Sequence, residues 1–509
     1  MRDGRFGRRT FLRSMAAGGA GLALTARAGG RVRAASPAPA APTGALAALA
    51  RDLPGRILLP GDPAWTELTY QSNSRWLTPP PMALALPESA EEVATCVRWA
   101  RSEGVPFATR SGGHNYAGHS ASPGLVISTI RMKKALLDQA TGTLIAGSGV
   151  QNADLAVAQR AEGTGRWILP GGTCPSVAIT GLTLGGGIGP NGRWAGLTAD
   201  HLRSTTLVTA DGEIVTASAD ENADLFWALR GIGGGQLGIH TEHLYALAEV
   251  PAASSHVLEV LSVGPEAVAA QANALIALLR DGPRTVSALF SSYSDPVDGV
   301  VSQLWAQIIE PPEREEEIVR QLVAPGSEIT GRGELPWWEA QSWLLGSIDP
   351  PKPYWDRSRY APADLDPAVV EDLVRRLAAF PSESDGTYGE LVLYGWLGGA
   401  VADVARDATA YVHRDAPLLL RISSIWEEEA PLGPDGHPGI PDLVRSWIEP
   451  TWEAALPHLL PESYQNFPDP ELADWEPAYY AENLPRLRAV KAAWDPEDLF
   501  RHDQSITPA

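Results

Sequence analysis

The sequence predicts an α+β fold in two domains, and three observations carry that expectation. The chain has 509 residues, more than one ordinary core organises. Up to about residue 250, short strand-like and helix-like runs are mixed. Beyond it the texture changes to long amphipathic helical segments alternating with β-rich runs. We place a lead-in over 1–45, a first domain over 46–250 and a second over 251–455. A terminal segment rich in aromatic residues and proline follows over 456–509. Hydrophobic residues at 44% and charged residues at 20% fit a globular chain.

The N-terminus is an address rather than a structural element. Arg8-Arg9-Thr10-Phe11-Leu12-Arg13 precedes an Ala/Gly/Leu stretch, and Ala26-Arg27-Ala28 offers a small-residue cleavage site. The arginine pair with Phe-Leu resembles a twin-arginine (Tat) signal, a route that exports folded proteins. The apolar stretch is too short to span a bilayer stably, so the expectation is an exported protein with no stable membrane insertion, handled by the Tat machinery. Ala34 to Ala50, dominated by Ala and Pro, reads as a flexible lead-in.

The elements follow in order. Ser89 and Glu92 have capping-box spacing, and Val93, Cys96, Val97 and Ala100 then share one helical face. Cys96 is therefore a core thiol. Gly104 ends that helix, and 105–109, 124–128 and 144–147 read as strands. A helix is expected over Asn152–Ala161, then a hairpin over Leu202–Ser218 around Asp211-Gly212. In the second domain, helices are expected at Pro265–Arg280 and Glu313–Val323, and strands at Val286–Tyr293 and Leu391–Leu397.

Composition excludes several functions. The net charge of −21 argues against nucleic acid as a partner. Residues 1–33 carry eight Arg and one Asp, so their removal would take the charge to −28. Two cysteines cannot staple a scaffold or build a four-thiolate metal site, and no metal is expected.

The glycine loops carry the first chemistry. Gly187 to Gly192 and Gly233 to Gly238 both match G-x-G-x-x-G. A dinucleotide site of that type needs a strand before and a helix after. Pro190 interrupts the first match, and Ile239-His240-Thr241 after the second is extended, so both are discounted. Arg110-Ser111-Gly112-Gly113-His114 is the better candidate, since bare glycine backbone lets N–H groups approach a phosphate and Arg110 adds charge.

With that loop the sequence resembles FAD-linked oxidases of the berberine-bridge-enzyme type, which have the vanillyl-alcohol-oxidase (PCMH-type) fold. The pattern continues at Gly172-Thr173-Cys174-Pro175-Ser176-Val177 and at Gly185-Gly186-Gly187-Ile188-Gly189. It continues at Asp200, at Asp224 to Gly235, at Tyr464-Gln465-Asn466 and through Gln504-Ser505-Ile506. Gly398-Gly399 and His413-Arg414 fit the second domain. The chain departs from the family at Gln236, Leu237 and His240, and at Pro190-Asn191-Gly192.

The resemblance implies a two-domain α+β fold, with FAD in the first domain and the 456–509 segment returning to it. The substrate domain would be an antiparallel sheet backed by helices. FAD would bond covalently to His114, and to Cys174 as in the bicovalent subgroup. Ser111, Gly112, Gly113, Gly185, Gly186, Gly187, Gly189, Asp200, Asn466 and Gln504 would join Arg110 around the cofactor. Val177 would govern oxygen access, which favours an oxidase. Tyr464 would take the substrate hydroxyl proton while hydride goes to flavin N5, with Asn466 orienting the tyrosine or the flavin. A phenol with a free pKa near about 10 needs that value depressed by hydrogen bonds or positive charge.

Nine tryptophans between Trp305 and Trp452 suit flat or sugar-like ligands. Tyr394, Trp396 and Trp426 are the expected substrate contacts in strands, and Trp337, Trp338, Trp343 and Trp355 lie in a Pro-rich, loop-like stretch. The expected activity is oxidation of a sugar, glycoside or natural-product alcohol with reduction of O2 to H2O2. The alternatives are oxidative cyclisation or dehydrogenation of a secondary metabolite, and a ligand-binding protein plugged by flavin.

Overall fold

The computed structural model describes residues 43–161, 166–346, 350–381, 386–427, 430–433 and 436–509. The expected export signal and its cleavage site lie outside the described residues. The lead-in ends in a helix, Thr43–Asp52, whose Leu49 is fully buried against the Cys96 cluster.

The helix Ala90–Glu103 forms as its pattern dictates. Ser89 Oγ accepts the Glu92 N–H at 3.3 Å, and Gly104 closes the helix in the left-handed conformation. Val93, Cys96, Val97 and Ala100 are buried. This helix packs on a four-stranded sheet in the order Ile57–Leu58, Ala83–Ala85, Leu125–Ser128, Phe107–Arg110. The last three strands are parallel.

A five-stranded antiparallel sheet follows, in the order Ala135–Asp138, Thr143–Gly147, Ile239–Ala246, Leu202–Val208, Ile214–Ser218. Its last two strands are the hairpin expected around Asp211-Gly212. The run Gly233–Gly238 leads into a strand and not a helix, so it lacks the context of a dinucleotide loop.

The seven-stranded antiparallel sheet is ordered Glu328–Pro336, Ser254–Val263, Gly299–Ile308, Val286–Asp295, Tyr388–Gly395, Leu418–Ile425, Tyr354–Ala361. Helices Pro265–Asp281, Pro312–Leu322, Pro367–Ala378 and Asp442–Ala455 cover one face. Side chains alternate across a strand, so the pleat sorts each strand into two sets. Leu391, Leu393, Leu418, Leu420 and Ile422 join the helix-backed core. Val392, Tyr394 and Leu419 fall on the other face, with Trp396, Tyr411 and Tyr464. Two expectations fail here. Trp337–Leu344 is a helix and Trp355 opens a strand, so neither lies in a loop. Trp355 belongs to the helix-backed core.

The C-terminal segment packs on the first part of the chain. Leu472, Tyr479, Leu487 and Val490 share a core with Leu144, Leu225 and Trp227. Lys491 is fully buried, and its Nζ meets Asp495 at 2.7 Å, Asp498 at 2.9 Å and the carbonyls of Gln236 and Phe500. A buried ammonium persists only with such complete pairing.

Removing one partner of that pair should be costly. Asp495→Ala should lower stability by about 3–5 kcal/mol in chemical denaturation, because it strands a buried charge. A second expectation concerns acid. His243, buried and bonded through Nε2 to Thr180 Oγ1 at 2.8 Å, is pushed by burial down to about 3. Between the ordinary histidine value near about 6.5 and that lowered value, the unfolded chain binds the extra proton. Stability should therefore fall as pH drops through this window, and thermal melting of His243→Gln should show a shallower fall.

Candidate active site and cofactor cradle

The strand Phe107–Arg110 delivers the loop Ser111–His114. Arg110 is buried, with Nε donating to Ser120 O at 3.0 Å and a terminal nitrogen to Thr69 O at 3.1 Å. Burial pushes it down to about 10. Two of its donors go to backbone carbonyls, so it also holds the loop from behind. Ser111 Oγ bonds Thr129 Oγ1 at 3.2 Å, also fixing the loop. Gly113 is left-handed, and a Cβ there would stand 2.4 Å from Tyr70 O. At the end of the loop, His114 Nε2 meets Ser176 Oγ at 2.8 Å. Burial pushes the imidazole down to about 4, so it is neutral at pH 7.

Cys174 lies on an adjoining segment pinned by the start of the helix Asn152–Ala161. Asn152 Nδ2 donates to Cys174 O at 3.0 Å, Ala153 N to Pro175 O at 2.9 Å and Asn152 N to Val177 O at 3.0 Å. Cys174 is exposed, whereas Cys96 is buried and its thiol pushed up to about 12. The two cysteines therefore divide into a reactive position and an inert one. The half-buried Val177 sits three residues on, its N–H turned back to Cys174 O.

Tyr464 is fully buried on the open side of the large sheet. Its Oη accepts N–H bonds from Gly187 at 3.2 Å, Ile188 at 3.3 Å and Asn466 Nδ2 at 3.1 Å. Among the described residues its hydrogen meets no acceptor. Burial pushes the phenol up, and the donors of Ile188, Asn466 and Gly187 pull it back. The net direction is upward, so the expected depression is not met: donors are present, but no cation touches the oxygen. Asn466 also bonds Leu182 O at 3.0 Å, and its amide fills the space beside Gly185. Gly186 lies under the Tyr411 ring, and Gly189 passes against the Gly171 backbone. The glycine run thus brings backbone N–H groups to the phenol.

Two further expectations resolve differently. Asp200 receives both terminal nitrogens of the buried Arg414, at 2.9 and 2.8 Å, and caps Leu197 N. Its carboxylate is committed to the fold, not to a cofactor. Trp426 falls one pleat position past Ile425 on the helix-backed side, packed with Val444 and Trp447, so it cannot face the site. Tyr394 and Trp396 do face it, with ring centres 5.0 Å apart.

The same face holds residues that pattern reading passed over. Tyr116 stacks on Phe467 at 4.9 Å and meets Tyr354 edge-on at 5.2 Å. Phe467 also packs against Tyr394 and Tyr464. Arg421 bonds Glu390 at 2.6 Å, lies 3.6 Å from Asp356 and approaches Tyr116 Oη at 3.4 Å. Burial pushes Asp356 up to about 6. A strand period of two counted along 388–395 and 418–425 would have placed Glu390 with Tyr394, and Arg421 with Leu419.

A recess is lined by His119, Gly233, Gly234, Gln465, His502 and Gln504, among others. Gln504 Nε2 donates to Asp469 O at 2.7 Å, while its buried Oε1 meets no partner among the described residues. The rings of His119 and His502 stack at 3.8 Å. An unpaired acceptor, stacked imidazoles and bare glycine backbone suit a large polar ligand with N–H donors and anionic groups. These residues fit a dinucleotide flavin.

Comparison with known proteins agrees. Residues 81–218 match the FAD binding domain family, and 463–507 match the family described as berberine and berberine like. An FAD-linked oxidoreductase of Bacillus subtilis is 29% identical, covering 90% of this chain and 97% of its own. Glucooligosaccharide oxidase of Sarocladium strictum is 29% identical over 84% and 87% of the two chains. The aclacinomycin-N/aclacinomycin-A oxidase of Streptomyces galilaeus is 28% identical over 99% and 98%. Among solved structures, BBE-like 1 of Physcomitrella patens aligns with a TM-score of 0.79 at 25% identity, over 91% of this chain and 99% of that one. The glucooligosaccharide oxidase of Acremonium strictum, whose FAD is 6-S-cysteinyl and 8α-N1-histidyl, aligns at 0.78 and 24%, over 91% and 99%. The fold and the two matched families define an FAD-dependent oxidoreductase of α+β, PCMH type. The chain carries both matched domains and is similar along most of its length to berberine-bridge-enzyme-like FAD-linked oxidoreductases.

The packing of Asn466 gives a direct test. A Cβ on residue 185 would stand 2.1 Å from Asn466 Oδ1. Gly185→Ala should push the amide off Tyr464 and cut substrate-driven flavin reduction, read by stopped-flow absorbance, while the variant stays folded by circular dichroism.

Proposed function

We propose that the protein is an exported oxidase that takes a hydride from a substrate alcohol and passes the electrons to O2, with FAD bonded to His114 and Cys174. The observation that carries the reading is the Tyr464 hydroxyl. Its oxygen receives three N–H donors, and among the described residues its hydrogen meets no acceptor; these donors favour the phenolate against the burial that raises its pKa. A phenolate there would take the hydroxyl proton of an alcohol, and bound FAD would supply the hydride acceptor. The carbinol becomes a carbonyl, and the two electrons and two protons leave with O2 as H2O2.

The other residues divide the remaining tasks. Asn466 donates to Tyr464 and keeps it in place. His114, neutral with a ring lone pair, and Cys174, exposed at the end of a pinned segment, supply the two nucleophiles for attachment. Valine at 177 leaves room for oxygen, which favours oxidase over dehydrogenase. Ser111, Gly112, Gly113 and the 185–189 run contribute backbone, and Gln504 its open acceptor, to cofactor binding.

The aromatic walls of Tyr116, Tyr354, Tyr394 and Phe467, with Trp396 beyond, suit a sugar ring or a flat natural product. The Glu390–Arg421–Asp356 trio offers hydrogen bonds along the same face. Relatives named for oligosaccharides and for aclacinomycin support an alcohol substrate of one of these classes. Export rests on the Arg8-Arg9 signal. The first and second domains and the returning segment keep the limits given above, 46–250, 251–455 and 456–509.

Acid-precipitated protein should keep its flavin, and complete release would remove the covalent linkage from the proposal. Tyr464→Phe should slow substrate-driven flavin reduction by at least about a hundredfold without loss of flavin. Asn466→Ala removes one donor, so reduction should fall by about 10²–10³. Its pH profile should move upward, because fewer N–H bonds favour the anion. Rapid reoxidation of reduced enzyme by air separates the oxidase from a dehydrogenase, and peroxide release across oligosaccharides and polyketide alcohols identifies the substrate class.

A further inference from the structure

We infer that Ser176 sets the tautomer of His114 and so selects the ring nitrogen that bonds to the flavin; this rests on the histidyl linkage proposed above. A neutral imidazole carries one N–H and one lone pair. His114 Nε2 lies 2.8 Å from Ser176 Oγ. When Nε2–H donates to that oxygen, the lone pair belongs to Nδ1, the nitrogen called N1 in histidyl flavins. Ser176 is held in place by its backbone. Gln151 Nε2 donates to its carbonyl at 2.7 Å, and Lys133 Nζ donates to Gln151 Oε1 at 2.8 Å. On the other side, Tyr70 packs against the imidazole with ring centres 5.9 Å apart, which restricts its rotation.

Ser176 also ties the two attachment points together. It stands two residues after Cys174, and its backbone presses on the His114 loop so closely that a Cβ at Gly112 would lie 2.7 Å from Ser176 O. In the bonding step His114 Nδ1 gives its pair to the flavin 8α carbon, one C–H of that methyl breaks, and two electrons pass into the ring system. The imidazole becomes positive as the bond forms, and Ser176 Oγ is the acceptor that stabilises Nε2–H at that moment. The methyl proton and finally the Nε2 proton accompany the two electrons to O2, giving H2O2. Ser176 is a positioning residue in this step.

The test uses purified wild-type enzyme with Ser176→Ala, Ser176→Thr and Ser176→Val. Each is acid-precipitated and digested, the peptide carrying residue 114 is weighed, and its histidyl-flavin isomer is identified from the pH dependence of flavin fluorescence after hydrolysis. Wild type and Ser176→Thr should carry the Nδ1 isomer. Ser176→Ala and Ser176→Val should show about tenfold slower attachment at His114, or an admixture of the Nε2 isomer. Thr and Val fill the same space, so their comparison decides the matter even if the alanine variant folds poorly. Full Nδ1 attachment in Ser176→Val would overturn the role of Ser176. Absence of flavin from the wild-type peptide would instead overturn the linkage itself.

Discussion

The hydroxyl of Tyr464 gathers three distant parts of the chain around one atom. Two backbone donors come from the glycine run at 187–188, the third from Asn466, and the ring itself packs on the open face of the large sheet. Each donor needs the others' surroundings. The N–H groups reach the phenol because Gly185, Gly186, Gly187 and Gly189 have no side chains to hold the backbone away. Asn466 fits because Gly185 leaves the space. The terminal segment is fixed there by Lys491 and its two carboxylates, and by Gln465, whose amide donates to Gly231 O at 2.6 Å and accepts from His413. The arrangement converts an ordinary phenol, made harder to ionise by burial, into an oxygen solvated by protein N–H groups.

The large sheet supplies the second half of the site by its pleat. One set of side chains meets four helices and becomes an apolar core. The alternate set, largely aromatic and charged, lies on the other face with Tyr464. That is why the charged trio of Arg421, Glu390 and Asp356 is tolerated: its members pair with each other and with Ser291 and Ser423. The same pleat excludes Trp426 and Trp355, which are as aromatic as Tyr394 but point the other way.

Much of the local structure was legible in the sequence. The helix after Ser89, the hairpin around Asp211-Gly212, the helix at 152–161 and the extended run after Gly238 follow from caps, turn dipeptides and periodicity. The loop at 110–114, the Cys174 segment and the Tyr464–Asn466 pair stood out by motif. What motifs did not separate is the direction of each side chain. Arg110 and Asp200 sit within matching motifs, yet two donors of Arg110 go to carbonyls and Asp200 pairs with Arg414. Their types suit a phosphate or ribose contact, and only their neighbours show which of those bonds are already made.

The sequence by itself determined the class of fold, the family and the chemical types available: an imidazole and a thiol for attachment, a phenol and an amide near the C-terminus. These are properties of local spacing and residue identity, which one strand of text contains. The tertiary structure alone decided which of them meet. Tyr464 is separated from Gly187 by 277 positions and His114 from Ser176 by 62, and neither contact has a local signature. Hydrogen bonds are short and directional, so partnership depends on angstrom-scale placement after the chain has closed on itself. The pairing of His114 with Ser176, and the three donors around Tyr464, exist only at that level.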